Sequence, residues 1–283
     1  MSDFGRDAAL AYMRMVADDE RRLIQNVLER HSLPFFDEYR RLMFTLLGDL
    51  GYYKRPSVEA TISRDGYLTQ SVLIGFGDPG MTKIVYRRIA IAVVQALIAA
   101  AERGYTRLRV AIPCNRLSDC ASYLGDLLAS PDELDHLNRE FDNAIPSWRA
   151  LQHVTITTHP LVDAVVRHVQ NVRALPKRVL VLAAPEVLVM YELAFTRAGI
   201  EIVDAPTDHQ GLVNRLVLAS IAHDQREIAG IRSELVAVTD QIGDDVVVIE
   251  ACTDFDVNVG ISSLAVYANT MVRDYYSREL GLV

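Results

Sequence analysis

Apolar residues in the first part of the chain recur with the period of a helix: Tyr39, Leu42, Met43, Leu46, Leu47 and Leu50 fall at i, i+3, i+4, i+7, i+8 and i+11. A helical hairpin rarely folds alone, so this stripe lies either on the body of its own chain or on a second subunit, which makes a homodimer a possible assembly. From Val58 the period drops to two: Val58, Ala60 and Ile62 alternate, Asp65-Gly66 marks a hairpin turn, and a strand is expected to run to Phe76. Short apolar runs predict this strand at Val72–Phe76 and further ones at Leu108–Ile112, Val154–Thr157, Val179–Ala183, Ile200–Val203 and Val246–Ile249. Helical stretches such as Arg87–Glu102 and Ala205–Ala222 separate them. This alternation predicts an α/β fold with parallel sheets flanked by helices, behind an N-terminal helical extension. Ser130-Pro131-Asp132-Glu133 has the Ser cap, early Pro and following Glu of a helix start.

Composition narrows the classes of function. The net charge of −8 would repel a phosphate backbone and no basic cluster offsets it, so nucleic acid is not an expected partner. The longest apolar run, Ile89–Ala101, is interrupted by Gln95 and falls short of the ~20 residues that span a bilayer, so it reads as a buried helix and no membrane is expected. Cys114, Cys120 and Cys252 are too few and too scattered for a disulfide framework. With an opening stretch that lacks an apolar signal core, they point to the cytoplasm. No His-Glu-x-x-His or Cys-x-x-Cys pattern suggests a metal. Lysines stand only at positions 54, 83 and 177, and Lys54 and Lys177 sit beside prolines in turn-like contexts, which disfavours a Schiff-base cofactor. No cofactor is expected.

In an open α/β sheet ligands gather at the carboxyl ends of the strands. Two cysteines stand there: Leu108–Pro113 leads into Cys114-Asn115, and Val246–Ala251 into Cys252-Thr253. A thiol at a strand end that faces a helix N-terminus can be acidified, and two such thiols across one cleft would form an acid/base pair. Buried cysteine also serves as a small hydrophobe, the reading preferred for Cys120. His159-Pro160, just after the Val154–Thr157 strand, is a further candidate for the cleft or a structural helix entry.

Pro113-Cys114-Asn115 and Ala251-Cys252-Thr253 resemble the paired Pro-Cys-Asn-Thr and Gly-Cys-Thr-Glu motifs of the aspartate/glutamate racemase superfamily. Ile74-Gly75-Phe76-Gly77-Asp78-Pro79-Gly80-Met81-Thr82, followed by Tyr86, is similar to the family's first loop. Val179–Ala183 with Ala198–Val203 looks like its second-lobe entry. The resemblance covers residues 71–283 and implies two similar lobes: 71–160, completed by about 258–283, and 161–257, with 1–70 as the extension outside it. It also implies cofactor-independent proton transfer at a carbon next to a carboxylate, with Cys114 and Cys252 as the two acid/base groups. The small-molecule substrate would be a carboxylate, an amino acid first of all, contacted by Asp78, Thr82, Asn115, Arg116, Thr253 and Asp254.

The chain also departs from the pattern. Arg116 replaces a Thr and would either clamp a carboxylate with its guanidinium fork or pair with a surface acid. Asp254 replaces a Glu and either positions Cys252 or caps the next helix. Ala184-Pro185-Glu186-Val187 lacks the family's threonines, which points away from ordinary aspartate or glutamate. Residues 117–153 exceed the usual spacer and form either a lid or added packing. Two other activities suit the same frame: cis-trans isomerisation of a maleate-like diacid by thiolate addition, and non-catalytic binding or regulation.

Overall fold

The computed structural model describes residues 11–12, 14–19, 22, 79–172, 177–204, 209–222, 224–251 and 259–280. The Tyr39–Leu50 stripe, the Asp65-Gly66 turn and the Val72–Phe76 strand lie outside them. Leu108 and Val110 are buried while Arg107 is exposed, the alternation of a strand with one face in a core, and they form β1 (Arg107–Ala111). It pairs in parallel with β2 (Thr155–His159), Arg107 opposite Thr155 and Ala111 opposite His159. The second sheet has the order β4 (Glu201–Ile202), β3 (Arg178–Leu182), β5 (Val247–Glu250), β6 (Ile261–Ser262), all parallel. The observed class is mixed α/β, dominated by helices around small parallel sheets.

β3 reads as a continuous apolar run because both its faces are covered. Val179 and Val181 face one core with α4 (Leu161–Asn171), α5 (Pro185–Arg197) and α8 (Ser263–Leu280), whereas Leu180 and Leu182 face another with α6 (His209–Ala222) and α7 (Gln225–Thr239). In α7 the buried positions are Ile228, Ile231, Leu235 and Val238, one helical stripe, and Asp224 caps it by accepting from the N–H groups of Arg226 (3.1 Å) and Glu227 (3.0 Å). Gly199, at φ +71°, turns the chain from α5 into β4 in a conformation that costs a side chain energy. Tyr12 and Val16, one helical turn apart, pack into the α4–α8 core, and the Tyr12 ring lies 5.6 Å from that of Tyr267. This part of the N-terminal extension is thus held by its own chain.

A third core surrounds the first sheet. α1 (Pro79–Glu102) starts eight residues before the expected Arg87, opening on a proline whose fixed φ suits a first turn. Residues 117–153, the segment read as a lid or as packing, form α2 (Ser118–Ala129), α3 (Pro131–Glu140) and a 3-10 helix (Trp148–His153). Leu124, Leu137, Ile145 and Trp148 from this segment are buried with Ile89, Val93 and Val94 of α1, so it is packing. The expected start of α3 forms, with Ser130 Oγ accepting from Glu133 N at 3.4 Å. No helix among the described residues is long and apolar enough to cross a membrane.

The C-terminal segment reaches both sheets. Its strand β6 extends the second sheet, and α8 then crosses to the first, where the Tyr267 hydroxyl accepts from Ile112 N (3.2 Å) and donates to the His159 carbonyl (2.7 Å). Burial pushes this phenol far above its ordinary range, assisted by Tyr12, so the hydroxyl remains a donor. Tyr267→Phe would leave one N–H and one carbonyl without this partner inside the protein. The expected loss is about 1–3 kcal/mol in urea unfolding. Wild-type stability in the Phe variant would show that the hydroxyl does not hold the strand ends.

Candidate functional site

The end of β1 delivers the first cysteine. After Ala111 the chain reaches Cys114, itself extended (φ −144°, ψ 122°), which caps a 3-10 turn, Asn115–Leu117, that runs directly into α2. Two backbone bonds fix the approach, Cys114 N to Ile112 O at 2.8 Å and Leu117 N to Cys114 O at 3.2 Å. At the neighbouring strand end, β2 leads through Pro160 into α4. Ser118 Oγ, at the start of α2, accepts from Val162 N at the start of α4 (3.0 Å), so both helices begin side by side at the carboxyl edge of the sheet. This edge is where an open parallel sheet places its ligands.

Cys114 is 9% exposed, so its sulfur borders the core. It interacts electrostatically with Tyr86 and Cys120, and Asp119 acts on both of these. The Tyr86 phenol is pushed above its ordinary range by burial first and then by Asp119, Cys120 and Cys114, which keeps it protonated. Burial, then Cys114 and Asp119, likewise push the Cys120 thiol up. Cys120 is fully buried and belongs to the α1–α2 core. Asp119 is raised by desolvation and by the neighbouring Asp163 carboxylate, the two standing in the first turns of α2 and α4.

Asn115 is 2% exposed and lies at the junction of three elements. Its Oδ1 accepts from the Tyr191 hydroxyl of α5 at 2.7 Å, and its Nδ2 donates to Ser263 Oγ of α8 at 3.0 Å. Asn115 was expected among the substrate's hydrogen-bond donors; here its carboxamide is engaged with the protein. Ser263 directly follows Ser262, which stands opposite Glu250 at the end of β5. Glu250 is 2% exposed and accepts from Val259 N (2.6 Å) and Gly260 N (3.0 Å), tying together the two ends of the segment 251–258. Gly260 is needed there, since a Cβ would stand 2.4 Å from the Val248 carbonyl oxygen. Ala251, immediately before Cys252, donates to Leu182 O at 2.9 Å.

Asp78, Cys252, Thr253 and Asp254 lie outside the described residues. Thr82 is in the first turns of α1 and Arg116 in the 3-10 turn after Cys114, with only their backbones described. His159 is buried, its Nε2 3.9 Å from Asp274 Oδ2 on α8 and its carbonyl bound by Tyr267, which gives it a structural role. Sequence reasoning passed over Tyr191, Ser263, Tyr267 and Glu250. The first three look like ordinary members of helices, whereas a carboxylate closing the apolar run Val246–Ile249 was a usable signal. A cavity of about 450 Å³ between α2, α3 and β2 is lined by residues including Leu134, Trp148, Leu151 and Ile156, and Cys114 is not among them. Among the described residues no group of three His, Cys, Asp or Glu side chains is placed to hold a metal ion.

The two described thiols should differ in reactivity. Trypsin cuts after Arg109 and Arg116 and so separates Cys114 from Cys120. In iodoacetamide labelling of the folded protein near neutral pH, the Cys114 peptide should be modified while the Cys120 peptide stays protected until denaturant is added. Equal labelling rates would contradict the placement of Cys120 inside the core.

Comparison of the chain with protein-family models, with curated proteins and with solved structures found no match.

Proposed function

We propose that the chain is a cofactor-independent amino-acid racemase or epimerase, resembling the aspartate/glutamate racemase superfamily, with Cys114 and Cys252 as its acid/base pair. The two sheets are read as the cores of its two lobes. The observation that carries the proposal is the convergence of two strand ends: Asn115, next to Cys114, bonds Ser263, and Ser263 follows the residue paired with Glu250, two positions before Cys252. This link between the end of β5 and the residue after Cys114 is what supports reading the two cysteine motifs as one site.

In this reading one cysteine, as thiolate, takes the proton from the carbon next to the carboxylate, and the other, as thiol, returns a proton on the opposite face, so the configuration inverts. A thiolate alone is too weak a base for such a carbon. The developing negative charge on the carboxylate needs positioned donors, and Thr253, Arg116 and the N–H groups after the strands are the proposed set. Asp78, Thr82 and Asp254 complete the proposed contacts. Free thiols of this kind suit a reducing compartment, which supports a cytoplasmic location.

Incubation with single amino-acid enantiomers in deuterated water tests the proposal. Hydrogen exchange at the α-carbon together with racemisation is expected, and Cys114→Ser and Cys252→Ser should each abolish racemisation because a hydroxyl is far less acidic than a thiol. Near-normal two-way racemisation by either single variant would exclude the two-thiol mechanism. Turnover of maleate without α-exchange would move the assignment to a cis-trans isomerase, and binding of an acid without any turnover would make the chain a binding protein.

A further inference from the structure

Tyr191 is entirely buried in the middle of α5, far from either cysteine in sequence, yet its hydroxyl reaches the residue next to Cys114. Burial pushes its phenol far above the ordinary range, opposed by a hydrogen bond with Ser263, so the hydroxyl is protonated. The three side chains form a chain of hydrogen bonds: Tyr191 donates to Asn115 Oδ1, and Asn115 Nδ2 donates to Ser263 Oγ. Asn115 and Ser263 are 2% and 0% exposed, so little water competes for these bonds.

Such a network is costly to bury unless each partner is satisfied, and it fixes geometry in return. The group it fixes is the first residue of the 3-10 turn that Cys114 caps, whose own carbonyl accepts from Ser118 N at the start of α2. With the amide of Asn115 held from α5 and α8, the backbone on the carboxyl side of Cys114 has little freedom to rotate. Tyr86 of α1 and Cys120 of α2 both interact electrostatically with this thiol, so a change in its direction alters those interactions.

We infer that Tyr191 is a positioning residue for Cys114, acting through Asn115 with Ser263 as the third member of the network. The inference rests on the reading of Cys114 as an acid/base group, and it assigns Asn115 to holding the thiol in line with the substrate carbon. Misplacement of a reacting group by about 1 Å can cost on the order of 100-fold in rate. Loosening this anchor would also change how the sulfur sits against Tyr86 and Cys120, the two groups with which it interacts electrostatically.

The test uses the full-length chain with Tyr191→Phe, which removes the hydroxyl and keeps the ring, and Ser263→Ala as a second variant. Phe195→Leu is the control: Phe195 stacks on Tyr191 at 5.8 Å and is buried, so this change disturbs the same helix without touching the Asn115 amide. Two readouts are taken, the kcat and KM of α-hydrogen exchange and the pH dependence of iodoacetamide labelling at the Cys114 peptide. The first two variants should lower kcat by about 10- to 100-fold with KM changed less than about 2-fold, the signature of an interaction that acts in the transition state. Their labelling curves should shift by about half a pH unit or more as the sulfur moves against its neighbours, while the control keeps both properties near wild type. Folded variants with unchanged kcat and labelling curve would overturn the inference, as would an equal shift in Phe195→Leu. If the wild-type chain exchanges no acid, the proposed activity fails, and the labelling curves alone decide whether Tyr191 positions the thiol.

Discussion

A strand that ends inside a protein leaves backbone groups that water cannot reach, and each must find a partner. At the ends of β1 and β2 that partner is one phenol: Tyr267 accepts from Ile112 N and donates to the His159 carbonyl. The hydroxyl comes from α8, whose preceding strand belongs to the other sheet. One helix therefore closes the edge of the first sheet while it is anchored to the second, and Cys114, the cap of the 3-10 turn, stands two residues beyond the bonded Ile112. Arg109 Nη2 adds a second tie, donating to the Asp274 carbonyl of the same helix at 3.1 Å.

The remaining polar contacts around Cys114 follow the same logic. Packing brings the beginnings of α2, α4, α5 and α8 toward one edge of the sheets, and a small number of buried side chains satisfy the groups left there. Ser118 joins α2 to α4, Asn115 joins the 3-10 turn to α5 and α8, and Glu250 closes the segment after β5. None of these side chains needs a substrate to be satisfied. Among the described residues, this edge also carries the nearly buried Cys114 thiol, which interacts electrostatically with the Tyr86 phenol.

The parallel α/β character was legible in the sequence because it depends on local pattern. The apolar runs of β1, β3 and β5 could be located to within one residue, and Ser130-Pro131 with Glu133 marked the start of α3 from capping chemistry alone. The position of Cys114 just after a strand was legible for the same reason. The clips were not. Tyr191 and Tyr267 sit in apolar stretches where a tyrosine reads as core, and their meaning depends on hydroxyl partners 76 and 155 residues away. Asn115 was marked as a substrate contact because of its place beside a cysteine, and sequence spacing holds no information about the side chains that occupy its amide. The early start of α1 was missed because Gly75, Gly77 and Gly80 around Pro79 look like a loop, although a proline is well suited to a first helical turn.

The central claim is that Tyr267 makes the strand ends below Cys114 part of the same cooperative unit as the second sheet. Native-state amide hydrogen exchange at Ile112 measures this directly, with Ala251, bonded to Leu182 O, as the reference within the second sheet. The account predicts that both amides exchange through global unfolding, with the same opening free energy and the same dependence on added denaturant. Exchange of Ile112 through a local opening that is independent of denaturant, and orders of magnitude faster than that of Ala251, would contradict it.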